Sequence, residues 1–337
     1  MNYIDLHVHS TASDGTLTPT QVVHEALSLG LSSIALTDHD TIDGVVEAMR
    51  AAEHHALLLE YYHYREVVAL ACGMDSSSPV TNEHLKEVYA SGFLTKEELQ
   101  RIHGSISSIR VIPGIEMSCI YDATEIHILG YFLNMRSRRL RSDLDIFLQK
   151  REARNREILS RLTRDGIDIS YDELLFDNPN TTITRAHFAR LLVQKGYVST
   201  MSQAFEKYMK YDGKYVPPKN IHYDEVMDMF ARNHIWCSLA HPKLYGFSNK
   251  KLLELLEELK SKGLRGLEVM HSSISTGEVD KYMELASRLS LLPTGGSDYH
   301  GSNKPGLALG TGYGNVHVPS TFLDSMREDY RPMSSLL

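Results

Sequence analysis

The chain has 337 residues, a net charge of -8 and 23% charged residues, enough to bury a sizeable core in one large domain or two modest ones. That charge gives no support for a dedicated duplex-DNA binder. No apolar stretch reaches the roughly 18 residues of a membrane span, and the first residues enter a strand without a signal-peptide pattern, so a soluble cytoplasmic protein is expected.

The elements alternate from the start. Asn2 to His7 reads as a strand, and Pro19 to Leu29 as a helix opened by Thr18-Pro19 and closed by Gly30. A second strand is predicted at Leu31 to Thr37 and a second helix from Asp43 to about His55. Apolar strands follow at Arg110 to Ile115 and Glu125 to Phe132. Strand–helix alternation with apolar strands predicts parallel pairing, as an open sheet or a barrel.

Two segments interrupt that rhythm. Residues 55–108 predict an extra helical excursion whose role is not legible. Residues 134–233 predict a separate helical insert, opened by the basic run Arg136-Ser137-Arg138-Arg139-Leu140-Arg141. Its helices are expected at about Asp143 to Arg164, Tyr171 to Phe176, Arg185 to Gln194, Met201 to Met209 and Asp224 to Arg232. Strands then return at Ile235 to Ala240, Gly266 to Met270 and Leu291 to Gly295, with helices at Lys250 to Lys262 and Val279 to Leu289 between them. Three cysteines, Cys72, Cys119 and Cys237, lack CxxC spacing and read as reduced, buried thiols.

The chemistry-bearing residues fall at strand ends. His7 and His9 lie two apart, so their imidazoles share a face about 7 Å apart along the backbone and can grip one ion. Asp14, His39, Glu116, His127, His241, Asp298 and His300 occupy similar stations. Singly, each is an ordinary cap or core residue. Together they predict a metallohydrolase site at the C-terminal strand ends, the functional face of parallel α/β folds. Imidazole and carboxylate without thiolate suit Mn²⁺, Zn²⁺ or Fe²⁺, and nine donors imply two or three ions. Asp38 and Asp40 flank His39, either as partners orienting an imidazole or as solvated turn acids.

With these residues in this order, the chain resembles the PHP (polymerase and histidinol phosphatase) family over about residues 1–50, 110–133 and 235–318. The resemblance implies an α/β fold, a distorted TIM-like (β/α)7 barrel with a trinuclear site. The catalytic barrel would comprise 1–133 plus 234–337, and 134–233 would cap the substrate. It places His7, His9, Glu116 and Asp298 around a first ion, His127 and His241 with bridging Glu116 around a second, and Asp14, His39 and His300 around a third. Asp14 is a carboxylate where some members carry histidine.

The insert's Arg151-Glu152-Ala153-Arg154-Asn155-Arg156 and Thr184-Arg185-Ala186-His187-Phe188-Ala189-Arg190 resemble the nucleotide-processing branch. The activity this implies is hydrolysis of a phosphomonoester, the 3′-phosphate of 3′,5′-nucleoside bisphosphates, by a metal-bridging hydroxide in line with the leaving oxygen. Arg154, Asn155, Arg185 and Lys243 are candidate substrate contacts. The alternatives are a 5′-to-3′ exonuclease on short RNA or DNA, for which Tyr208, Tyr211 and Tyr215 could stack bases, a histidinol phosphatase, or a non-catalytic metal-binding scaffold. Expected partners are a small phosphorylated nucleotide and short oligonucleotides, with neither duplex DNA nor a membrane. His187 reads as a core histidine, and His271 is open between substrate contact and simple exposure.

Overall fold

The strands lie at Tyr3–Val8 (β1), Ser33–Leu36 (β2), Arg110–Tyr121 (β3), Thr124–Tyr131 (β4), Trp236–Leu239 (β5), Gly266–His271 (β6), Leu292–Gly296 (β7) and Val318–Pro319 (β8). They form one sheet in the order β7-β6-β5-β4-β3-β2-β1-β8. The computed structural model describes residues 3–53, 109–176 and 178–334. The expected excursion at 55–108, with Cys72, lies outside them.

β1 closes the sheet into a barrel. Asp298 N donates to His7 O (2.9 Å), His9 N donates to Tyr299 O (3.0 Å), and Ser297 N donates to Asp5 Oδ1 (2.9 Å). Gly296 makes this approach possible, because a Cβ there would collide with the backbone nitrogen and Cβ of His7. The two residues of β8 add to the free edge of β1.

Pairing is mixed, not parallel throughout as the alternation predicted. β1–β2–β3 and β5–β6–β7 are parallel, whereas β4 runs antiparallel to both β3 and β5. β3 continues past the predicted end at Ile115 to Tyr121 and returns through Asp122-Ala123, both at positive φ (51° and 62°). That is a two-residue hairpin of the kind glycine or asparagine usually marks. Glu116 and His127 therefore sit inside strands, not at their ends.

Helices cover the outside. α1 (Pro19–Ser28) starts with a capping box between Thr18 and Gln21 and buries Val22, Val23 and Ala26. α2 runs from residue 45 to the edge of the described residues at 53. After β4 come α3 (Arg138–Arg164), α4 (Tyr171–Leu175), α5 (Arg185–Gln194), α6 (Met201–Lys207) and α7 (Tyr223–Arg232). α3 begins before the predicted Asp143 because Ser137 accepts a hydrogen bond from Leu140 N (3.1 Å), drawing the basic run into its first turns.

α3 serves two cores. Leu140, Leu144 and Phe147 pack into the barrel's core, each side chain contributing about 1.5–3 kcal/mol by leaving water. Ile158 and Leu162 join a separate cluster with Phe188, Leu192, Met209 and Val216. The insert's own core thus spans residues 158–216, while α7 packs on the barrel through Val226, Met227 and Phe230.

α8 (Asn249–Ser261) and α9 (Thr276–Arg288) complete the crossovers. α10 (Ser320–Ser334), which the sequence pattern did not announce, buries Phe322, Leu323 and Met326. Its Asp329 accepts hydrogen bonds from Trp236 Nε1 (2.7 Å) and Arg265 Nε (2.9 Å). Cys119 and Cys237 are buried free thiols, and burial pushes Cys237 up to about 12. Among the described residues, no helix is long and apolar enough to cross a membrane.

Candidate metal centre

The barrel brings all nine predicted donor residues together. Glu116 is at the middle. Its Oε1 lies 2.9 Å from both His127 Nδ1 and His241 Nε2 and 3.3 Å from His7 Nε2, while Oε2 lies 2.9 Å from His39 Nδ1 and 3.3 Å from His9 Nε2. Asp298 Oδ1 is 3.5 Å from His7 Nε2 and 3.3 Å from His9 Nε2. Asp14 Oδ1 is 3.2 Å from His300 Nε2, and its Oδ2 is 3.8 Å from His39 Nε2.

Three of these groups have atoms close enough to share an ion: His7, His9 and Glu116; His39, Glu116 and His127; and His9, Asp14, His39 and His300. A fourth group joins His7 to Glu268 and His271.

The donor set fits divalent cations. His7 Nε2, both ring nitrogens of His9, His39 Nδ1, His241 Nδ1 and Glu116 Oε2 are buried without a hydrogen-bond partner among the described residues. Polar atoms left without a partner are costly to bury, and divalent cations among these donors would satisfy the ones that face them. Burial, then His300 and His39, hold His9 well below its usual pKa, and burial lowers His241 to about 4. Both are neutral imidazoles, the form that ligates metal. Burial pushes the Asp14, Glu116 and Asp298 carboxyls up, but the imidazoles around them and Lys304 outweigh it. His39 and His300 at Asp14, His127 and His39 at Glu116, and Lys304 and His7 at Asp298 hold the carboxyls well below the usual range.

The backbone is strained here. Asp40 (φ 54°), His241 (φ 26°) and Asp298 (φ 59°) occupy the region where side chains rarely sit, each at or beside a donor.

Among the described residues, neither Asp38 nor Asp40 hydrogen-bonds to an imidazole. Asp38 accepts from Ser10 N (2.8 Å), Ser10 Oγ (2.7 Å) and Ser13 Oγ (2.6 Å), so it shapes the loop between His9 and Asp14. Asp40 accepts from Ser118 N (2.8 Å) and pairs with Arg151 of the insert. The imidazole that does have a carboxylate partner of this kind is that of His7, held by Glu268, which sequence reasoning missed. Its Oε1 is 3.1 Å from His7 Nδ1, and its Oε2 accepts from His241 N at 2.6 Å. His271 is buried, with Nε2 3.3 Å from Asp298 Oδ2 and Nδ1 2.8 Å from Ser273 Oγ. His187 is likewise buried and accepts from Thr184 N (3.1 Å), part of the start of α5.

A cavity of about 450 Å³ opens over the donors, roofed by Arg151, Arg154, Thr184, Arg185, Met201 and Phe205 and floored by His39, Glu116, His127, His241 and His300. Arg154 donates through Nε to Pro217 O (3.0 Å), while its buried Nη2 has no hydrogen-bond partner among the described residues. Arg185 is held by Glu125 (2.5 Å), which also accepts from Lys219 (2.7 Å). Lys304, which no motif marked, reaches Asp298 Oδ2 at 2.5 Å from the cavity's rim.

Two predicted substrate contacts lie elsewhere. Asn155 donates to Ile183 O (2.9 Å) inside the insert's base, and Lys243 pairs with Glu278 (2.5 Å) on the outside. Of the tyrosines, Tyr211 lies under Arg154 and Arg185, with their guanidinium carbons 5.9 and 6.0 Å from its ring. Tyr208 and Tyr215 pack against each other.

The PHP domain profile matches residues 5–286. The chain belongs to the PHP domain family. The PHP chain is similar to the 5′-3′ exoribonuclease Rnm of Salmonella typhimurium, 30% identical over 88% of this chain and 84% of the relative. It is also similar to the 3′,5′-nucleoside bisphosphate phosphatase of Chromobacterium violaceum, 27% identical over 92% of this chain and 91% of that protein. Among solved structures, an amidohydrolase of Chromobacterium violaceum with bound sulfate and no metal superposes with a TM-score of 0.72. That match is 26% identical and covers 97% of this chain and 96% of the other. The PHP chain is a metal-dependent hydrolase of phosphoric esters, with histidine and carboxylate clusters able to hold the ions.

Proposed function

We propose that this site breaks the bond between phosphorus and the 3′-oxygen of a nucleoside that also carries a 5′-phosphate. In a 3′,5′-nucleoside bisphosphate the reaction releases the 3′-phosphate. The observation that carries this reading is the buried Arg154, which lines the cavity beside Arg185 and whose Nη2 has no hydrogen-bond partner among the described residues. Two arginines apart from the donor cluster provide for a second anionic group. Histidinol phosphate has one phosphate and an ammonium group, which Arg151, Arg154 and Arg185 would repel.

In this reading His7, His9, Glu116 and Asp298 would hold one ion, Glu116, His127 and His241 a second, and Asp14, His39 and His300 a third. Bound Mn²⁺, Zn²⁺ or Fe²⁺ would activate water near neutral pH and neutralise phosphoryl oxygens. The protein's own groups do the rest. Arg154 and Arg185 anchor the 5′-phosphate, and the insert from 134 to 233 caps the substrate. Asp298 raises the pKa of Lys304 despite burial, so Lys304 stays protonated and offers a fixed positive charge to the reacting phosphoryl group.

A second reading shares the same bond. An exonuclease that removes nucleoside 5′-phosphates from a 5′ end also separates phosphorus from a 3′-oxygen. The similarity to Rnm over most of both chains favours short oligonucleotides as substrates too. Rates on adenosine 3′,5′-bisphosphate, histidinol phosphate and a 5′-phosphorylated oligonucleotide, measured with Mn²⁺, test both. Preference for histidinol phosphate would overturn them.

A further inference from the structure

Loop 178–184 of the insert grips the barrel loop that carries Asp14. Asn178 Nδ2 donates to Thr11 O (2.6 Å), Thr182 N to Ala12 O (2.8 Å) and Thr181 Oγ1 to Ser13 O (2.7 Å). The last contact reaches the donor itself: Thr184 Oγ1 donates to Asp14 Oδ2 at 2.9 Å. Thr184 also caps α5, accepting from Ala186 N at 3.2 Å, so its hydroxyl is fixed by the helix start.

Asp14 has no comparable anchor on its carboxylate from the barrel among the described residues. Asn303 donates only to its main-chain oxygen (2.7 Å), and Ser13 Oγ stands 3.5 Å from Oδ1. With Oδ2 held by Thr184, Oδ1 is turned toward His300 Nε2. The cluster around His7 has its anchor within the barrel, where Glu268 holds His7 and His241.

We infer that Thr184 is a positioning residue for Asp14, so that the insert, not the barrel, governs occupancy of the ion site formed by Asp14, His39 and His300. This rests on the three-ion reading above. Outer partners of metal ligands typically change metal affinity by about 10- to 100-fold, and the effect here should fall on one ion alone.

The test is manganese content per chain after gel filtration, together with Mn²⁺ titration calorimetry, on the full chain. Wild type is expected to retain three ions. Thr184→Val should lose one and bind it at least about tenfold more weakly, while Thr184→Ser, which keeps the hydroxyl, restores it. Thr181→Val leaves the Thr184 hydroxyl in place and should weaken the same ion, guarding against a fold defect in Thr184→Val. Wild-type content and affinity in both valine variants would overturn the inference while leaving the three-ion reading standing. A wild-type complement of two would overturn both.

Discussion

Glu268 on β6 lies 3.1 Å from His7 Nδ1 on β1 and, through its other oxygen, accepts from the backbone of His241 beyond β5. One buried carboxylate therefore fixes donors for two proposed ions. His7 and His271 hold it below the usual carboxylate range despite burial, so it is charged and acceptor-only. Glu268→Gln should retain the fold but weaken Mn²⁺ binding by about 10- to 100-fold, read by metal titration. Unchanged affinity would show that Glu268 does not position the donors.

Arg154 should matter only to substrates with a second phosphate. A charged hydrogen bond contributes about 1.5–3 kcal/mol, which corresponds to about 10- to 150-fold in kcat/KM. Arg154→Met is expected to lose that factor on adenosine 3′,5′-bisphosphate and little on adenosine 3′-phosphate. Equal losses on both would show that Arg154 serves some purpose other than anchoring the 5′-phosphate.

The Arg151–Asp40 pair joins insert to barrel, and both partners are buried. Arg151→Met strands a buried carboxylate and should cost about 3–5 kcal/mol in urea unfolding. Adding Asp40→Asn should recover part of that loss, because the uncompensated charge is then gone. A surface-like effect below about 1 kcal/mol would mean the pair is wet.

The histidines were legible because so many imidazoles and carboxylates, in that order at the ends of short apolar segments, fit little besides a shared metal site. His7, His9, His39, His241 and His300 stand where the pattern placed them. The β3–β4 hairpin was not legible, since Asp122-Ala123 adopts positive φ without a glycine to announce it. Glu268 was hidden for another reason. In Gly266-Leu267-Glu268-Val269-Met270 a lone carboxylate looks like an outward-facing strand residue, and only closure of the barrel turns it inward. Asn155 and Arg154 are neighbours in sequence but point to different places, which helical phase within an insert of unknown docking cannot reveal. Lys243 follows a donor, yet the short helical turn after His241 carries it outward to Glu278.

His9 and Asp298 face each other at 3.3 Å and converge with Glu116. His9→Ala and Asp298→Ala should each lower turnover about 10³-fold or more, a loss of roughly 4 kcal/mol in transition-state stabilisation, while thermal unfolding stays cooperative. Full activity with unchanged metal content in both variants would refute the assignment of these donors.

Cleavage at the 3′-oxygen is tested most sharply by identifying, by chromatography, the nucleotide that the Mn²⁺-loaded protein releases from adenosine 3′,5′-bisphosphate. Adenosine 5′-phosphate and inorganic phosphate are expected, with the reaction abolished by a chelator. Adenosine 3′-phosphate as the product, or the same turnover from chelator-treated protein, would contradict that chemistry.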